Sequence, residues 1–341
     1  MKKLKKIELL TLALLSSIVL VSCSGDDNVD TNSSVIAQLV ATSNTSGSIS
    51  YFDFTDAENV KSNTIATSSS DADGVYMDPS GTEIIVGSRS NNRIEVYENS
   101  QSNLLSIEAS LTLRINSNGS EFTNNREIAV SNSKIVVAQD AGDSNGNLNK
   151  LLVYERSGNQ ITLVNSYTVS FNLWGIHLEG NTLYAIEDNS NRLSVFENFF
   201  NNADGVISAT KSAAISGITR THGITLSTVD DVMILTDVGD AASQTDGGFV
   251  VISNFSSTLG ATPDGGTISA GSLTTVYGAA SLMGNPVDVA YDQVTGKIFI
   301  AERANAGGQI LVYDFPTQSG DVAPSYQQSF SGVSSVYFSR N

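Results

Sequence analysis

The last eight residues of the chain, SSVYFSRN (334–341), have the pattern of a strand rather than of a tail. Val336 and Phe338 alternate with Ser335 and Tyr337, which is the period of two that is typical of a half-buried β-strand. Terminal segments are usually polar and frayed. A strand at the very end of a chain needs a partner elsewhere, and the position of that partner decides the fold.

Internal repeats supply the context for this strand. Each repeat has a short apolar strand, a turn, a second apolar strand, a polar loop and a third strand. Polar segments between the repeats carry one weaker strand each. The repeats cover residues 74–99, 127–156, 175–198, 223–254 and 288–315. Four strands per unit at a period of about 50 residues predict a β-propeller. A β-sandwich is the alternative, but sandwiches do not repeat one strand pattern five times.

The two ends of the chain complete each other. Residues 36–54 supply the second and third strands of a unit without a first strand, whereas 334–340 is a first strand with no unit behind it. Joining them makes a sixth blade and removes two open sheet edges. The sequence therefore predicts an all-β domain over residues 35–341: a six-bladed β-propeller with four-stranded blades, closed by the C-terminal strand.

The wording of the repeats resembles a known family. NPVDVA (285–290) followed by IFIA (298–301), and IIV (84–86) followed by NRI (92–94), are similar to the units of NHL-type six-bladed propellers. The resemblance extends over nearly all of the chain past Ser34 and includes the gluconolactonase-like propellers. It implies the architecture only, because this fold carries lyases, lactonases, receptors and inert scaffolds.

The N-terminal segment predicts export. Four lysines within residues 2–6 precede an apolar run over 7–21, which is short for a membrane-spanning helix. Leu20-Val21-Ser22-Cys23 resembles the bacterial lipobox, and Cys23 is the only cysteine of the chain. We therefore predict a lipoprotein signal peptide (1–22), lipidation of Cys23 and a flexible tether (23–34). The alternative is an ordinary signal peptide with an accidental cysteine.

The predicted cellular location is the outer membrane. Asp26 and Asp27, close behind Cys23, resemble the export signal of Bacteroidota surface lipoproteins. We expect a lipid-anchored protein that faces the cell surface, with the periplasmic face as the alternative. Removal of residues 1–22, with their four lysines and one glutamate, leaves 14 basic and 34 acidic side chains, a net charge of −20. So strong a negative charge argues against nucleic-acid partners.

Aligned repeats predict two rings of side chains around one mouth of the central channel. One ring precedes the first strands: Asp73, Arg126, Trp174, His222, Val287 and Ser334. The other follows the second strands: Ser43, Arg89, Asp140, Asp188, Asp237 and Arg303. The candidate ligand-binding residues are the charged and aromatic members Arg89, Arg126, Trp174, Asp140, Asp188, Asp237 and Arg303.

These residue types suit a polar or zwitterionic ligand. Arginine matches a carboxylate or phosphate, and carboxylates bind sugar hydroxyls or a hard cation. The loop residues could equally pair with each other. His222 is the candidate general base, or else a wedge in the channel, and Trp174 is a sugar platform or a filler. His177, inside a first strand, is expected to pack between blades.

The cofactor candidate is calcium or another divalent cation. Asp143, Asn145 and Asn147 alternate like calcium ligands but lack the glutamate of an EF-hand, so an Asn/Gly turn explains them equally well. The resemblance to gluconolactonase-like propellers implies a cation held by Glu, Asn and Asp. Glu127 and Asp288 sit at first-strand starts, and the repeat alignment gives no matching asparagine.

Three classes of function remain open. The first is a non-catalytic binding module for a glycan, a small polar molecule or a partner protein. The second is a metal-dependent lactonase-type hydrolase or a lyase, which leaves enzymatic activity undecided. The third is an assembly component of the outer membrane. No common hydrolase or phosphate-loop motif occurs.

Overall fold

A computed structural model describes residues 36–98 and 104–341 and confirms the six-bladed propeller. The predicted signal peptide, Cys23 and the tether lie outside the described residues. Blade 1 spans 72–116, blade 2 spans 125–169, blade 3 spans 173–215, blade 4 spans 221–277, blade 5 spans 286–329, and blade 6 combines 333–340 with 37–65.

Each blade is an antiparallel sheet that runs outward from the central axis. The first, innermost strands of blades 1 to 6 are Ala72–Met77, Asn125–Ser131, Leu173–Glu179, Thr221–Ser227, Pro286–Asp292 and Val333–Arg340. The second strands are Glu83–Ser88, Lys134–Gln139, Thr182–Glu187, Val232–Asp237, Lys297–Glu302 and Ala37–Ser43. The third strands are Arg93–Glu98, Asn149–Ser157, Arg192–Phe196, Gly248–Ser253, Gln309–Asp314 and Ile49–Asp53. The outer strands are Thr112–Asn116, Gln160–Val169, Lys211–Ile215, Leu273–Tyr277, Tyr326–Ser329 and Lys61–Ile65.

Two blades carry a short fifth strand that the repeats do not predict. Gly205–Val206, from blade 3, pairs in parallel with the outer strand of blade 2. Thr267–Ile268, from blade 4, does the same for blade 3. Each fifth strand thus covers the open edge of the preceding blade.

Helix is rare in the part of the chain that the structure describes. An α-helix occupies Phe255–Ala261, and short 3₁₀ turns occupy Asp143–Asn145, Phe199–Asn201, Ala270–Ser272, Ala279–Ser281 and Asn305–Gly307. Over this same part, no helix has the length and apolar character needed to cross a bilayer.

The C-terminal strand closes the ring as predicted. Val333–Arg340 pairs antiparallel with Ala37–Ser43, so that Val336 lies opposite Ala41. Phe338 stacks on Phe299 of blade 5 with ring centroids 4.9 Å apart, and Arg340 pairs with Asp292. Closure therefore depends on one sheet ladder and on packing against the neighbouring blades 5 and 1, where Tyr337 contacts Tyr76.

A β-bulge interrupts the first strand of every blade, near its N-terminal end. The pairing shifts by one residue between Ala72 and Val75 in blade 1, and equivalent shifts occur in the other five blades. Bulges redirect side chains and are common beside binding sites. All members of the first predicted ring, from Asp73 to Ser334, lie at these bulges.

Candidate functional site

The mouth of the channel is the end where the first strands begin. There, Arg126, Trp174 and His222 project from the bulges of blades 2, 3 and 4 and form one stacked column. The Trp174 and His222 rings are parallel, with centroids 3.6 Å apart. The Arg126 guanidinium carbon lies 4.2 Å from the centre of the Trp174 ring and makes a cation–π contact with it. The column seals this part of the mouth.

His222 is the buried member of the column. Its side chain is held by Asp188, whose Oδ1 lies 3.0 Å from Nε2, and the residue is 1 % exposed. Burial lowers the pKa of His222 to about 4, although the Asp188 carboxylate acts against this. The imidazole is therefore neutral at neutral pH and carries its proton on Nε2, which donates to Asp188. Nδ1 has no partner among the described residues.

Arginines neutralise the aspartates of the mouth. Arg126 pairs with Asp140 at 3.1 Å, and Arg220 pairs with Asp188 at 2.8 Å. Burial alone would raise the pKa of Asp188, but hydrogen bonds from His222 and Arg220 outweigh it and hold that pKa below its usual range. The acidic half of the mouth is thus an ion-pair network between blades 2, 3 and 4.

The basic half lies on blades 5 and 1. Arg89 contacts Asp73 at 3.3 Å and Asp71 at 3.5 Å. Burial raises the pKa of Asp71, and the positive charges of Arg89, Arg303 and Arg126 oppose that rise. Within residues 36–98 and 104–341, Arg303 is the one arginine whose guanidinium has no ion-pair or hydrogen-bond partner. Its side chain is partly exposed.

Asp237 does not belong to the same column as Asp140 and Asp188. Asp140, Asp188 and Arg303 each donate their backbone N–H to the residue before a first strand. In blade 4, Val238 makes this bond. Asp237 instead lies opposite Thr221, one position earlier. Its carboxylate accepts the N–H groups of Thr219 and Arg220 and the Tyr277 hydroxyl, so it fixes the loop that enters blade 4.

In the predicted calcium loop, the Asn145 side chain is already engaged in hydrogen bonds within the loop. Asn145 Oδ1 accepts the N–H groups of Gly142 and Leu148, and its amide donates to the Asp140 carbonyl. Asp143 to Asn145 form a 3₁₀ turn, and Asn147 has a positive φ of 60°. An Asn/Gly turn accounts for this loop. Nowhere in the described residues do three His, Cys, Asp or Glu side chains gather closely enough to hold a metal ion.

The cation implied by gluconolactonase-like propellers does not fit these residues. Glu127 and Asp288 do face the channel at one level, below the mouth. An asparagine does start a first strand, contrary to expectation, but the Asn125 amide donates to the carbonyl of Asp73 at 2.5 Å and contacts that of Gly87 at 3.4 Å, both in blade 1. The Glu, Asn and Asp set is therefore not assembled around the channel.

Glycines bring the first strands together below the mouth. A Cβ on Gly175 would lie 2.3 Å from the carbonyl oxygen of His222, and one on Gly223 would lie 2.7 Å from Cα of Asp288. The blades approach closely enough here that Glu127, Asp288 and Ser335 meet near the axis. We call this constriction, formed where Glu127, Asp288 and Ser335 meet, the neck. It separates the mouth from the far end of the channel.

Several residues of the site were not predicted from the sequence. Arg220 and Asp71 each lie two positions before a predicted ring member, His222 and Asp73, and share its partner. The two-residue period of a strand is the signal that could have found them. His177, which was expected to pack between blades, is among the residues that line a cavity in the channel.

Comparisons with known proteins agree with the fold. No protein-family model and no curated protein matches the sequence. Among solved structures, a chain of a nidogen/laminin complex superposes with a TM-score of 0.58 at 11 % identity, covering 89 % of this chain and 98 % of its own. A putative 6-phosphogluconolactonase from Bacteroides fragilis gives 0.57 at 13 %, covering 90 % and 99 %. A protein of unknown function from Desulfotomaculum acetoxidans gives 0.51 at 14 %, covering 86 % and 80 %. At such identities the likeness extends to the fold alone.

Proposed function

We propose that the propeller is a non-catalytic binding module that holds a small anionic ligand, a carboxylate or phosphate ester, at the basic half of its mouth. One observation carries this proposal: the Arg303 guanidinium is partly exposed and has no carboxylate partner in the described part of the chain, whereas the neighbouring arginine, Arg89, is paired. A planar guanidinium without a partner is suited to a bidentate carboxylate or phosphate.

The surroundings of Arg303 favour a ligand that also carries hydroxyl groups. Blade 6 separates Arg303 from Arg89, and its mouth loop exposes Thr45, whose hydroxyl lies 3.1 Å from that of the buried Ser43. The acidic half of the mouth is already neutralised by Arg126 and Arg220. A sugar acid or sugar phosphate would therefore place its anion at Arg303 and its hydroxyls toward blade 6. The neighbour described as a 6-phosphogluconolactonase makes 6-phosphogluconate a reasonable first probe.

Calorimetric titration with 6-phosphogluconate, gluconate and glucose tests this function. Wild type should bind the two anions and not glucose. Arg303→Ala should weaken anion binding at least tenfold, and Arg303→Lys should recover part of it, because lysine retains charge without the fork. Arg114→Ala removes an exposed arginine that is paired with Glu83 on an outer strand and is the matched control. Equal affinities in Arg303→Ala and wild type would refute the proposal.

A lactonase-type hydrolase or lyase at the same face is the second candidate, suggested by the name of the Bacteroides fragilis neighbour. It would need a base in contact with substrate, and the one histidine at the mouth, His222, is stacked beneath Trp174 and bonded to Asp188. This burial favours the binding module. Lactone hydrolysis that disappears in His222→Ala, with an unchanged melting temperature, would support the enzyme hypothesis instead.

We further propose that the propeller is attached through a lipid on Cys23 to the outer membrane, facing the cell surface. The lipobox-like residues 20–23 and the following acidic pair support this address. Membrane fractionation of Cys23→Ser tests it: the variant should be released into the soluble fraction. Persistent membrane association would contradict lipid anchoring, and protection of the wild type from external protease would favour the periplasmic face.

A further inference from the structure

A cavity of about 240 Å³ occupies the channel on the far side of the neck from the mouth. All six first strands line it. Exposure increases along these strands away from the neck: Ile128 and Val289 are buried, whereas Val130 and Tyr291 are partly exposed. The cavity therefore opens at the face opposite the mouth. Its volume is below the roughly 300–1,000 Å³ of pockets for drug-sized ligands, so it suits a smaller molecule.

Two carboxyl groups form the inner end of this cavity. Glu127 is 7 % exposed and Asp288 is 5 % exposed. Asp288 is well supplied with donors: the N–H groups of Val289 and Val336 and the hydroxyl of Ser335 at 3.0 Å. Glu127 accepts the N–H of Ile128 on Oε1. Its Oε2 lies 3.4 Å from the Ser335 hydroxyl, whose single hydrogen serves the closer Asp288.

No cation compensates this pair. Neither carboxyl group has an ion-pair partner among the described residues, and the cavity lining contains no lysine or arginine. Asp73, a further acid whose charge acts on Glu127, is paired with Arg89 on the mouth side. Taking carboxylates out of water without a counter-charge is costly. The Ser335 hydroxyl lies between the two groups. Burial raises the pKa of Asp288 to about 7 and that of Glu127 well above its ordinary value, so the pair retains a proton near neutral pH.

The walls beyond the carboxyl pair are aromatic and aliphatic. Tyr76 and Tyr337 lie in contact, with ring centroids 4.8 Å apart, and Phe338 follows on the same strand as Tyr337. His177 also lines the cavity, and burial lowers its pKa to about 4, so it is neutral. Aromatic faces attract organic cations, and the aliphatic residues of the inner layer suit an apolar body.

We infer that this cavity binds a small organic ammonium ion, with its charged group between Glu127 and Asp288 and its apolar body against Tyr76 and Tyr337. The ammonium takes the place of a proton held by the pair, and that proton leaves to solvent. This site is independent of the anion site proposed at the mouth, because the neck separates the two. A metal ion is the weaker occupant, because two carboxyl groups fall short of the six to eight oxygens that calcium takes.

Calorimetric titration of the full-length protein with 2-phenylethylammonium chloride at pH 7 tests the inference. We expect one molecule bound per chain and release of about one proton, measured from the dependence of the heat on the ionisation enthalpy of the buffer. The neutral analogue 2-phenylethanol and the anion 3-phenylpropionate should bind at least tenfold more weakly. Methylammonium and butylammonium extend the series in size. Absence of binding by all three ammonium ions would overturn the inference.

Variants locate the site. Glu127→Gln and Asp288→Asn keep the shape of the pair while removing one charge, and each should weaken ammonium binding at least tenfold. Ala290→Phe should block binding by filling the cavity while retaining both carboxyl groups. Asp314→Asn, which alters an exposed carboxylate on the third strand of blade 5, is the control and should bind as wild type does. Unchanged affinity in all three cavity variants, equal binding of 2-phenylethanol, or stoichiometric calcium binding that excludes the amine would each refute it.

Discussion

The single tryptophan of the chain organises the mouth. Trp174 is 8 % exposed, and both of its faces are covered, one by Arg126 and the other by His222. Each covering residue is also anchored to an aspartate, Asp140 or Asp188. The arrangement buries the imidazole and at the same time leaves the guanidinium of Arg126 partly exposed. Trp174 therefore acts as a filler that fixes one charged neighbour, Arg126, and one neutral neighbour, His222.

Replacing Trp174 should destabilise the protein and change the titration of His222. Trp174→Ala removes a buried aromatic ring and should lower the free energy of unfolding by about 3–5 kcal/mol. Burial is the main cause of the low pKa of His222, near 4, so its exposure should move that pKa upward toward 6.5. Denaturant unfolding and NMR titration of the two histidines measure both effects. Trp174→Phe retains a ring and is the control with smaller effects, and an unmoved His222 titration would contradict the stacking argument.

At the scale of strands, the features that depend on apolar alternation, namely the strands and the number of blades, were predicted from the sequence. The features that depend on the register between strands, namely the bulges and the position of Asp237, were not. Five repeated strand patterns and the terminal strand were enough to predict six blades, because inner strands must be apolar and period two is read directly. The bulges could not be read this way, since one extra residue changes no composition. Asp237 was aligned with Asp188, although it lies one position earlier in the register of its blade.

The candidate site was recovered in part, for a related reason. Ring members such as Arg126 and His222 were predicted because they flank strands whose positions the repeats determine. Mutual pairing of these residues was one of the two interpretations, but the individual pairs were not predicted, because Asp140 and Arg220 meet their partners through side-chain conformations that spacing does not encode. Prediction of the carboxyl pair at the neck would have required knowing which blades face each other across the axis. That arrangement follows only from closure of the whole ring.

Glu127 of blade 2 and Asp288 of blade 5, which both contact Ser335 of blade 6, should make the free energy of unfolding fall as pH rises. Burial raises the pKa of Asp288 to about 7 and that of Glu127 well above its ordinary value. Both folded-state values exceed the unfolded ones, so between about pH 4 and 7 the folded state binds more protons, and the stabilisation present at low pH is lost across that window. Glu127→Gln supplies an amide that donates to Asp288 at every pH. It should exceed wild type in stability by about 1–3 kcal/mol at pH 8 and by much less at pH 5.

Urea unfolding at the two pH values measures this difference. Asp188→Asn is the matched control with the opposite sign. The pKa of Asp188 is held low, so its carboxylate stabilises the fold at pH 5 and pH 8 alike, and the variant should lose stability at both. A Glu127→Gln curve that runs parallel to wild type across the range would show that the pair carries no excess proton.

At the scale of the whole molecule, ring closure connects the two ends of the described domain through one pair of strands. Ala41 and Val336 are opposite each other in this pair and both are buried. A covalent link here would restrict the unfolded chain far more than a link within one blade, because it closes nearly the entire propeller into a loop. Stability of the closure is therefore open to a direct test by crosslinking.

Ala41→Cys with Val336→Cys, in a chain whose native Cys23 is changed to Ser, should form a disulfide and stabilise the propeller. A loop of roughly 300 residues corresponds to about 5–6 kcal/mol in the chain-entropy description, as an upper value. Guanidinium unfolding of the oxidised and reduced forms measures the gain, and the reduced form is its own control for the two substitutions. A matched link within blade 5, Ile300→Cys with Leu311→Cys, joins residues opposite each other in adjacent strands and should gain less, because its loop is short. Equal gains from both links would mean that opening of the ring does not limit unfolding, and that the blades separate before the C-terminal strand detaches.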